Sequence, residues 1–167
     1  MYLLIVISEK KEGLNLANTD VDEALTALQS RRIRMTPQRR TILTYLVTHH
    51  NHPTVETIHE ALEQTTPNMS LATIYNTLKL FVDLGIVIEL ANGEDGVHYD
   101  YYSKPHYHVI CTNCGKIADV FYPDFQKDAK KMENEAAQQT GYQITGNRFE
   151  IYGLCTDCQK KNASKGK

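Results

Sequence analysis

Apolar residues recur at helical spacing in four successive stretches of the first half of the chain. From Thr19 they place one apolar face on a first helix, formed by Val21, Leu25 and Leu28. Three further helices are predicted to begin after a hydroxyl N-cap, namely Thr36, Thr54 and Ser70. The last of these is expected to end at Gly85 and to bury Leu71, Ile74, Leu78 and Phe81.

Two short apolar runs follow the fourth helix. Residues 86–90 and 97–102 form these runs, and the turn-forming residues 92–96 join them, so a β-hairpin is predicted. Helices followed by a hairpin indicate a winged-helix domain over residues 19–102. The exposed face of its fourth helix is expected to contact DNA bases and phosphates through Thr73, Tyr75, Asn76 and Lys79. A helix with a merely polar outer face is the alternative.

The pattern changes after Lys104 and Pro105. Residues 106–110 and 116–122 read as paired strands, 124–140 as a helix ended by Gly141, and 142–155 as a third strand. The predicted class is therefore α+β, a winged-helix domain followed by a small α/β domain over residues 106–167, with a hinge at 103–105. A strand with an unpaired outer edge would pair with a second copy, so we expect a homodimer. Residues 1–18 lack sustained periodicity and are expected to form a flexible extension.

Charge does not by itself indicate a nucleic-acid partner. The 167 residues carry a net charge of −2, with 8 Lys+Arg against 13 Asp+Glu up to residue 100 and 10 against 7 beyond it. Any DNA contact must therefore use a local patch. Five arginines fall between residues 31 and 40, and Arg31 and Arg39 are predicted to contact DNA. A solvated helix face is the alternative for this cluster.

The four cysteines form two C-x-x-C pairs with forty residues between them, Cys111 with Cys114 and Cys155 with Cys158. Two such pairs supply four thiolates to one Zn²⁺. Two disulfides or a thioredoxin-like redox pair are the alternatives, and the cellular compartment decides between them. The apolar run at residues 2–7 is too short for a secretory signal and has no basic residue before it. We therefore expect a cytoplasmic protein without a membrane segment, and this location favours zinc.

Nitrogen and oxygen ligands lie just before the first cysteine pair. His106 and His108 form an H-x-H pair on one side of a predicted strand, and Asp100 precedes them. Such ligands suit iron or manganese, whereas paired thiolates suit zinc. Two different metals are therefore expected side by side. His98 points to the same face as Asp100, which makes it a possible extra ligand.

Four motifs together resemble the ferric uptake regulator family: TPQR (36–39), NMSLATIYNTL (68–78), HYHVICTNCGKIAD (106–119) and EIYGLCTDC (150–158). The resemblance covers about residues 20–160, with motifs of both domains in order. It implies a winged-helix DNA-binding domain, a dimerisation domain with a structural zinc, and a regulatory metal site between them. It also implies repression of metal-uptake or stress genes through double-stranded palindromic operators.

Within that family, the ligand pattern resembles the peroxide-sensing branch. Asp100 and Asp119 stand where iron-sensing members have glutamate, and Pro105 and Tyr107 stand where they have histidine and aspartate. The resemblance implies a regulatory set that consists of His52, Asp100, His106, His108 and Asp119. It further implies one structural Zn²⁺ and one regulatory Fe²⁺ or Mn²⁺ per subunit, hydrogen peroxide as the signal, and oxidation of His52 or His106.

Three imidazoles and two carboxylates would hold Fe²⁺ or Mn²⁺ with one position open to a small oxidant. Because His52 belongs to the first domain and His106 to the second, the metal is expected to clamp the domains. Loss of one ligand would release this clamp. The two recognition helices would then no longer match two half-sites at a fixed separation. Three of the five ligands have a simpler alternative: His52 could end a helix, Asp100 could be a surface strand residue, and Asp119 could be a turn or strand-edge residue.

Three other functions remain open from the sequence. Asp100, His106 and His108 could form the two-histidine, one-carboxylate triad of a non-haem iron enzyme, although no substrate pocket is indicated and an enzyme is not expected. A zinc-stapled protein-interaction module would need neither the histidine pair nor the arginines. Within the family, a sensor of iron, manganese or zinc concentration is the alternative to a peroxide sensor.

Overall fold

The computed structural model describes residues 20–165 except residues 27, 92–95, 102 and 103. The expected extension over 1–18, the centre of the hairpin turn and the first hinge residue lie outside this range. The elements in chain order are α1 (20–26 and 28–30), α2 (Pro37–Thr48), α3 (Val55–Leu62), α4 (Leu71–Asp83), β1 (Val87–Ala91), β2 (Val97–Tyr101), β3 (Tyr107–Cys111), β4 (Ile117–Val120), α5 (Phe125–Thr140), β5 (Glu150–Gly153) and α6 (Thr156–Lys165).

Contacts divide the described residues into two compact units. The N-terminal unit comprises residues 20–91 and 96–101, and the C-terminal unit comprises residues 104–165. The predicted α+β class, with a winged-helix domain followed by a small α/β domain, is confirmed. No helix within the described ranges is both long and apolar enough to cross a membrane.

The three predicted hydroxyl caps begin helices of the N-terminal unit. The side-chain oxygens of Thr36, Thr54 and Ser70 accept backbone N–H groups three residues later, at 3.3, 3.2 and 3.2 Å. Each bond satisfies a donor that the first helical turn leaves unpaired. Gly85, at φ +68°, follows the end of α4, as predicted. Caps and stops are thus encoded locally.

The core of the N-terminal unit is formed by the apolar faces of α1 to α4 and by residues of the hairpin. Its fully buried side chains include Leu28, Ile42, Leu43, Leu46, Ile58, Ile74, Leu78 and Phe81. The prediction that Leu71 is buried is wrong, because that side chain is 47% exposed. Leu71 lies in the first turn of α4, at the rim of the buried face. The buried residues of this helix include the polar Thr77.

The hairpin places β2 antiparallel to β1, with Ile88 opposite Asp100 and Leu90 opposite His98. This register holds the strand that carries Asp100 against the helical core, where its neighbour Tyr99 is 2% exposed. The hairpin therefore positions one of the predicted metal ligands.

The C-terminal unit is built on a three-stranded sheet of order β4-β3-β5. The central strand, β3, is antiparallel to β4 and parallel to β5, with His108 opposite both Asp119 and Glu150. The parallel pair needs a long crossover, which β4 and α5 provide. In the described sheet β5 has a neighbour on one side only, and Ile151 and Tyr152 are 52% and 60% exposed.

One prediction for the C-terminal unit is wrong, and one of its helices was not predicted. The strand expected over 142–155 is limited to Glu150–Gly153. Residues 142–149 are irregular, and there the side-chain amide of Asn147 donates to Glu133 of α5 at 2.6 Å, a contact to the helix and not to a strand. The helix α6, which carries Cys158, was not predicted, because its sequence has no apolar stripe.

Candidate metal centres

The four cysteines converge in the C-terminal unit. Cys111 ends β3, Cys114 lies in the following turn, Cys155 follows β5, and Cys158 lies in the first turns of α6. Their sulfur atoms all lie within 4.8 Å of one another. The four thiols are unbridged, and the Sγ atoms of Cys114 and Cys155 are 3.7 Å apart, well beyond a disulfide bond. Four converging thiols are the donor set of a closed tetrahedral zinc site.

Backbone and side-chain donors already point at these sulfurs. The N–H of Cys155 donates to Cys111 Sγ at 3.3 Å, and Asn113 Nδ2 donates to Cys158 Sγ at 3.1 Å. Backbone N–H groups of Cys155 and Asn113 lower the pKa of Cys111 to about 6. The N–H of Lys116 favours the thiolate of Cys114, but the surrounding thiols raise its pKa to about 12. Such crowding favours a divalent cation, because full ionisation of four adjacent thiols requires a positive charge between them.

His106, His108 and Asp119 form a second cluster in the same unit. The Nε2 atoms of the two histidines are 3.0 Å apart, and they lie 3.5 and 3.4 Å from Asp119 Oδ1. His106 precedes β3, His108 lies within it, and Asp119 lies opposite on β4. The histidines are 5% and 2% exposed. Two imidazoles and one carboxylate thus present three donor atoms at a buried point.

The ring of His106 is oriented by a backbone carbonyl. Its Nδ1 lies 2.7 Å from the carbonyl oxygen of Lys104. Since a carbonyl only accepts, Nδ1 must donate, and in the neutral ring the lone pair is then on Nε2, the atom that faces the cluster. Metal-bound histidines are held in this way by a contact to the nitrogen that does not bind the metal.

Phe121 packs against His106 of this cluster. Its ring centroid lies 5.2 Å from that of His106, and its side chain is 63% exposed. The imidazoles themselves meet edge to face at 4.7 Å. An apolar ring in contact with His106 makes the surroundings of the donor atoms less polar, which strengthens electrostatic interactions with a cation.

Glu150 adds a negative charge beside His108. Arg148 and Tyr152 donate to its two carboxylate oxygens, one each. Burial raises the pKa of Glu150, but these hydrogen bonds outweigh burial and hold the pKa below its usual range. The carboxylate therefore stays ionised next to the strand that bears His108.

In the N-terminal unit, His52 and Asp100 lie close together. One ring nitrogen of His52 and one carboxylate oxygen of Asp100 are within 4.8 Å of each other, and the residues are 6% and 5% exposed. His52 has φ +46°, in the left-handed region. That conformation costs a non-glycine residue roughly 1–2 kcal/mol, and surrounding contacts must offset this cost. The strain draws attention to His52 as a functional residue.

The predicted DNA-contacting residues lie on α4 with different degrees of exposure. Tyr75 is 54% exposed, Asn76 and Lys79 are exposed, and Thr73 is half-buried. The hydroxyl of Thr73 lies 2.9 Å from Ser70 Oγ, at the N-cap. Lys79 is 3.9 Å from Asp83, and both side chains are exposed, so solvent weakens this pair.

Arg31 and Arg39, the two arginines predicted to contact DNA, donate to backbone carbonyls. Arg31 donates to the carbonyl of Leu84, at the end of α4, and Arg39 donates to that of Arg34 at 2.7 Å. A cation at the C-terminus of a helix is favourable. Among the described residues, these contacts use one nitrogen of each guanidinium.

Several residues of these sites were not predicted from the sequence. Asn113, Phe121 and the contact of His98 with the backbone of His52 belong to this group. Asn113 lies between two cysteines, a signal that could have found it. The contacts of Phe121 and His98 depend on tertiary packing, which periodicity does not report.

A family comparison agrees with this architecture. The model of the ferric uptake regulator family matches residues 30–152. The chain belongs to the ferric uptake regulator family. The family prediction is thereby confirmed, and the matched range includes parts of both units.

Individual relatives are named for peroxide and for metals. The chain is 45% identical over 141 residues to the peroxide-responsive repressor PerR of Staphylococcus saprophyticus, covering 84% of this chain and 93% of that protein. The structure of a Campylobacter jejuni peroxide stress regulator is 28% identical and covers 80% of this chain and 98% of its own, with a TM-score of 0.64. A zinc-bound manganese uptake regulator is also 28% identical, covers 81% and 98%, and has a TM-score of 0.56.

Proposed function

We propose that this chain is a metal-dependent, DNA-binding transcriptional repressor that responds to hydrogen peroxide. The observation that carries the proposal is its 45% identity, over most of the chain, to a peroxide-responsive repressor. The ligand clusters in the two units supply the chemistry that such a response needs. The protein would thus act as a regulator, in which the metal serves sensing and not turnover of a substrate.

In this proposal His52, Asp100, His106, His108 and Asp119 hold one regulatory Fe²⁺ or Mn²⁺. The donor set fits these ions, because it consists of imidazole nitrogens and carboxylate oxygens without a thiolate. The buried Nε2 lone pair of His106 and the proximity of Asp119 to both histidines support the assignment. Cys111, Cys114, Cys155 and Cys158 hold a separate structural Zn²⁺.

Fe²⁺ held by these residues would supply the redox chemistry that activates hydrogen peroxide, whereas Mn²⁺ would hold the same ligands without that reaction. We propose that a ring C–H bond of His52 or His106 is replaced by a C–O bond. The ring loses two electrons to one hydrogen peroxide, of which one oxygen enters the new C–O bond and the other leaves as water, so the metal undergoes no net change. The oxidised ring is a poorer ligand, so the metal-bound form of the repressor is lost and DNA is released.

The DNA-binding part of the proposal assigns α4 to the major groove. Thr73, Tyr75, Asn76 and Lys79 would contact bases and phosphates of a double-stranded palindromic operator, and Arg31 and Arg39 would contact phosphate. A palindrome requires two copies of the protein. The one-sided pairing of β5, with its exposed apolar side chains, supports a homodimer.

The test uses full-length protein with zinc retained, loaded without oxygen with Fe²⁺ or with Mn²⁺. After a small dose of hydrogen peroxide, peptides are analysed by mass spectrometry. One added oxygen on the peptides that contain His52 or His106 is expected with Fe²⁺ alone, with His59 as an internal control that stays unmodified. No oxidation of His52 or His106, or equal oxidation with Mn²⁺, would contradict the proposal.

A sensor of metal concentration is the second candidate. The 28% identity to a manganese uptake regulator favours it. Operator binding measured at fixed metal concentration separates the two functions. A peroxide sensor releases DNA after peroxide treatment of the Fe²⁺ form, whereas a concentration sensor releases DNA only when the metal is withdrawn.

A further inference from the structure

His98 contacts the backbone of His52 across 46 positions of the sequence. Its Nδ1 lies 2.5 Å from the carbonyl oxygen of His52. The carbonyl has no proton to give, so Nδ1 donates, and in the neutral ring the lone pair is on Nε2. Nε2 is buried and, within the described ranges, has no hydrogen-bond partner. The ring therefore bonds to the backbone of His52 through Nδ1 alone.

The contact lies where the backbone needs support. His52 is in the left-handed region and precedes Pro53, which has no N–H to donate. The next carbonyl, that of Pro53, accepts the N–H of Tyr99 at 2.9 Å. Two adjacent carbonyls are thus held by two adjacent residues of β2. The bond from Tyr99 is made by the backbone and is independent of residue type, whereas the bond from His98 depends on the side chain.

We propose that His98 is a positioning residue that fixes the backbone of His52, so that the imidazole of His52 is presented beside Asp100. This inference rests on the proposed role of His52 as a ligand. His98 and Asp100 are two residues apart on β2 and share one face of the strand. One strand therefore supplies both the carboxylate and the residue that orients its histidine partner.

Direct metal binding by His98 is the competing role. Among the described residues, three groups of side chains bring their ligand atoms within 4.8 Å of one another, and His98 belongs to none of them. Its Nδ1 is bonded to a carbonyl, as in metal-bound histidines, so Nε2 is the atom that would bind a metal. The two roles thus use different nitrogens of the same ring.

Amide substitutions separate these nitrogens. In His98→Asn the amide nitrogen takes about the position of Nδ1, and the donor to His52 is retained. In His98→Gln the nitrogen lies one bond further from the backbone, near the position of Nε2, and the donor is displaced. His98→Leu removes both. All variants are made in the full-length, zinc-containing protein.

The first readout is Mn²⁺ affinity measured by electron paramagnetic resonance. We expect His98→Leu and His98→Gln to weaken Mn²⁺ binding about tenfold, which is the lower end of the effect of removing a residue that orients a metal ligand. The Mn²⁺ affinity of His98→Asn should stay within about threefold of that of the wild type. The second readout is the ¹³C shift of the His52 carbonyl without regulatory metal. It should move in the Leu and Gln variants and stay in place in the Asn variant.

The order of the Mn²⁺ affinities of the variants decides whether His98 is a positioning residue. An Asn variant as weak as the Leu variant, or a Leu variant with wild-type affinity, would overturn the positioning role. If the Leu variant does not fold, the comparison of Asn with Gln decides alone, and Asn must bind Mn²⁺ more tightly. Because both readouts use protein without iron or peroxide, they test His98 even if the wild type shows no histidine oxidation and the peroxide-sensing proposal fails.

Discussion

The replacement of Asn113 by alanine tests whether hydrogen bonds to the cysteine sulfurs help to hold zinc. Asn113 Nδ2 donates to Cys158 Sγ at 3.1 Å. A hydrogen bond to a charged group contributes roughly 1.5–3 kcal/mol, and Asn113 is exposed, so the lower end applies. About 1.4 kcal/mol corresponds to a tenfold change in affinity, which agrees with the loss of about 10–100-fold after removal of an outer partner of a metal ligand.

The assay follows zinc transfer from reduced, zinc-loaded protein to a chromophoric chelator. Asn147→Ala is the matched control, because it also removes an exposed amide from the C-terminal unit, one that donates to Glu133 and not to a sulfur. We expect Asn113→Ala to bind zinc about tenfold more weakly than this control. Equal zinc affinity in the two variants would refute the view that Asn113 stabilises the thiolate of Cys158.

Three further predictions concern stability. Ser70→Ala removes the N-cap bond to Thr73 and should lower the free energy of unfolding by about 1 kcal/mol in urea titrations; an unchanged midpoint would contradict it. Phe81→Ala empties a fully buried core position and should cost about 3–5 kcal/mol, whereas Leu71→Ala at the exposed first turn should cost far less. Hydrogen bonds from Lys131 and then Tyr122 lower the pKa of Asp128 in the folded protein, so its contribution is present above about pH 4 and is lost as pH falls through the folded pKa. The stability gap between the wild type and Asp128→Asn should therefore shrink between pH 7 and pH 3, and a constant gap would contradict this.

The helical part of the fold could be predicted because its signals are local. The caps at Thr36, Thr54 and Ser70 lie directly before the apolar pattern that each one begins. Leu71 is the exception, since spacing alone does not report where a buried face ends. The apolar pattern of α1 to α4 thus gave the core, with an error at its rim.

The C-terminal unit was harder to predict because its strand order depends on contacts between residues that are far apart in the sequence. The strand β5 pairs in parallel with β3 after a crossover of nearly forty residues, and no local pattern marks its start. The helix α6 is polar on all sides and is placed next to the sheet by Cys158. The cysteine spacing predicted four converging sulfurs without revealing the element that delivers the last one.

Histidine chemistry could be recognised by type more easily than by orientation. The H-x-H spacing placed His106 and His108 on one face of a strand, and the structure brings them to Asp119. The left-handed backbone of His52 and its contact with His98 have no counterpart in the sequence pattern. The orientation of the His98 and His106 rings is set by hydrogen bonds to backbone carbonyls. Every residue has a carbonyl, so the sequence does not indicate which one a ring will contact.

The strand β3 carries ligands of both candidate metals within a few residues. His108 lies opposite Glu150 and Cys111 lies opposite Gly153 in the same parallel register. Holding the sulfur of Cys111 at the end of β3 therefore also fixes the residue that lies opposite His108. A slip of one residue would turn every side chain of β3 to the opposite face. Under the proposed function, a cell short of zinc would make repressor subunits unable to report peroxide. Zinc supply would then set how many working sensors a cell possesses, and peroxide would set how many of those are switched off.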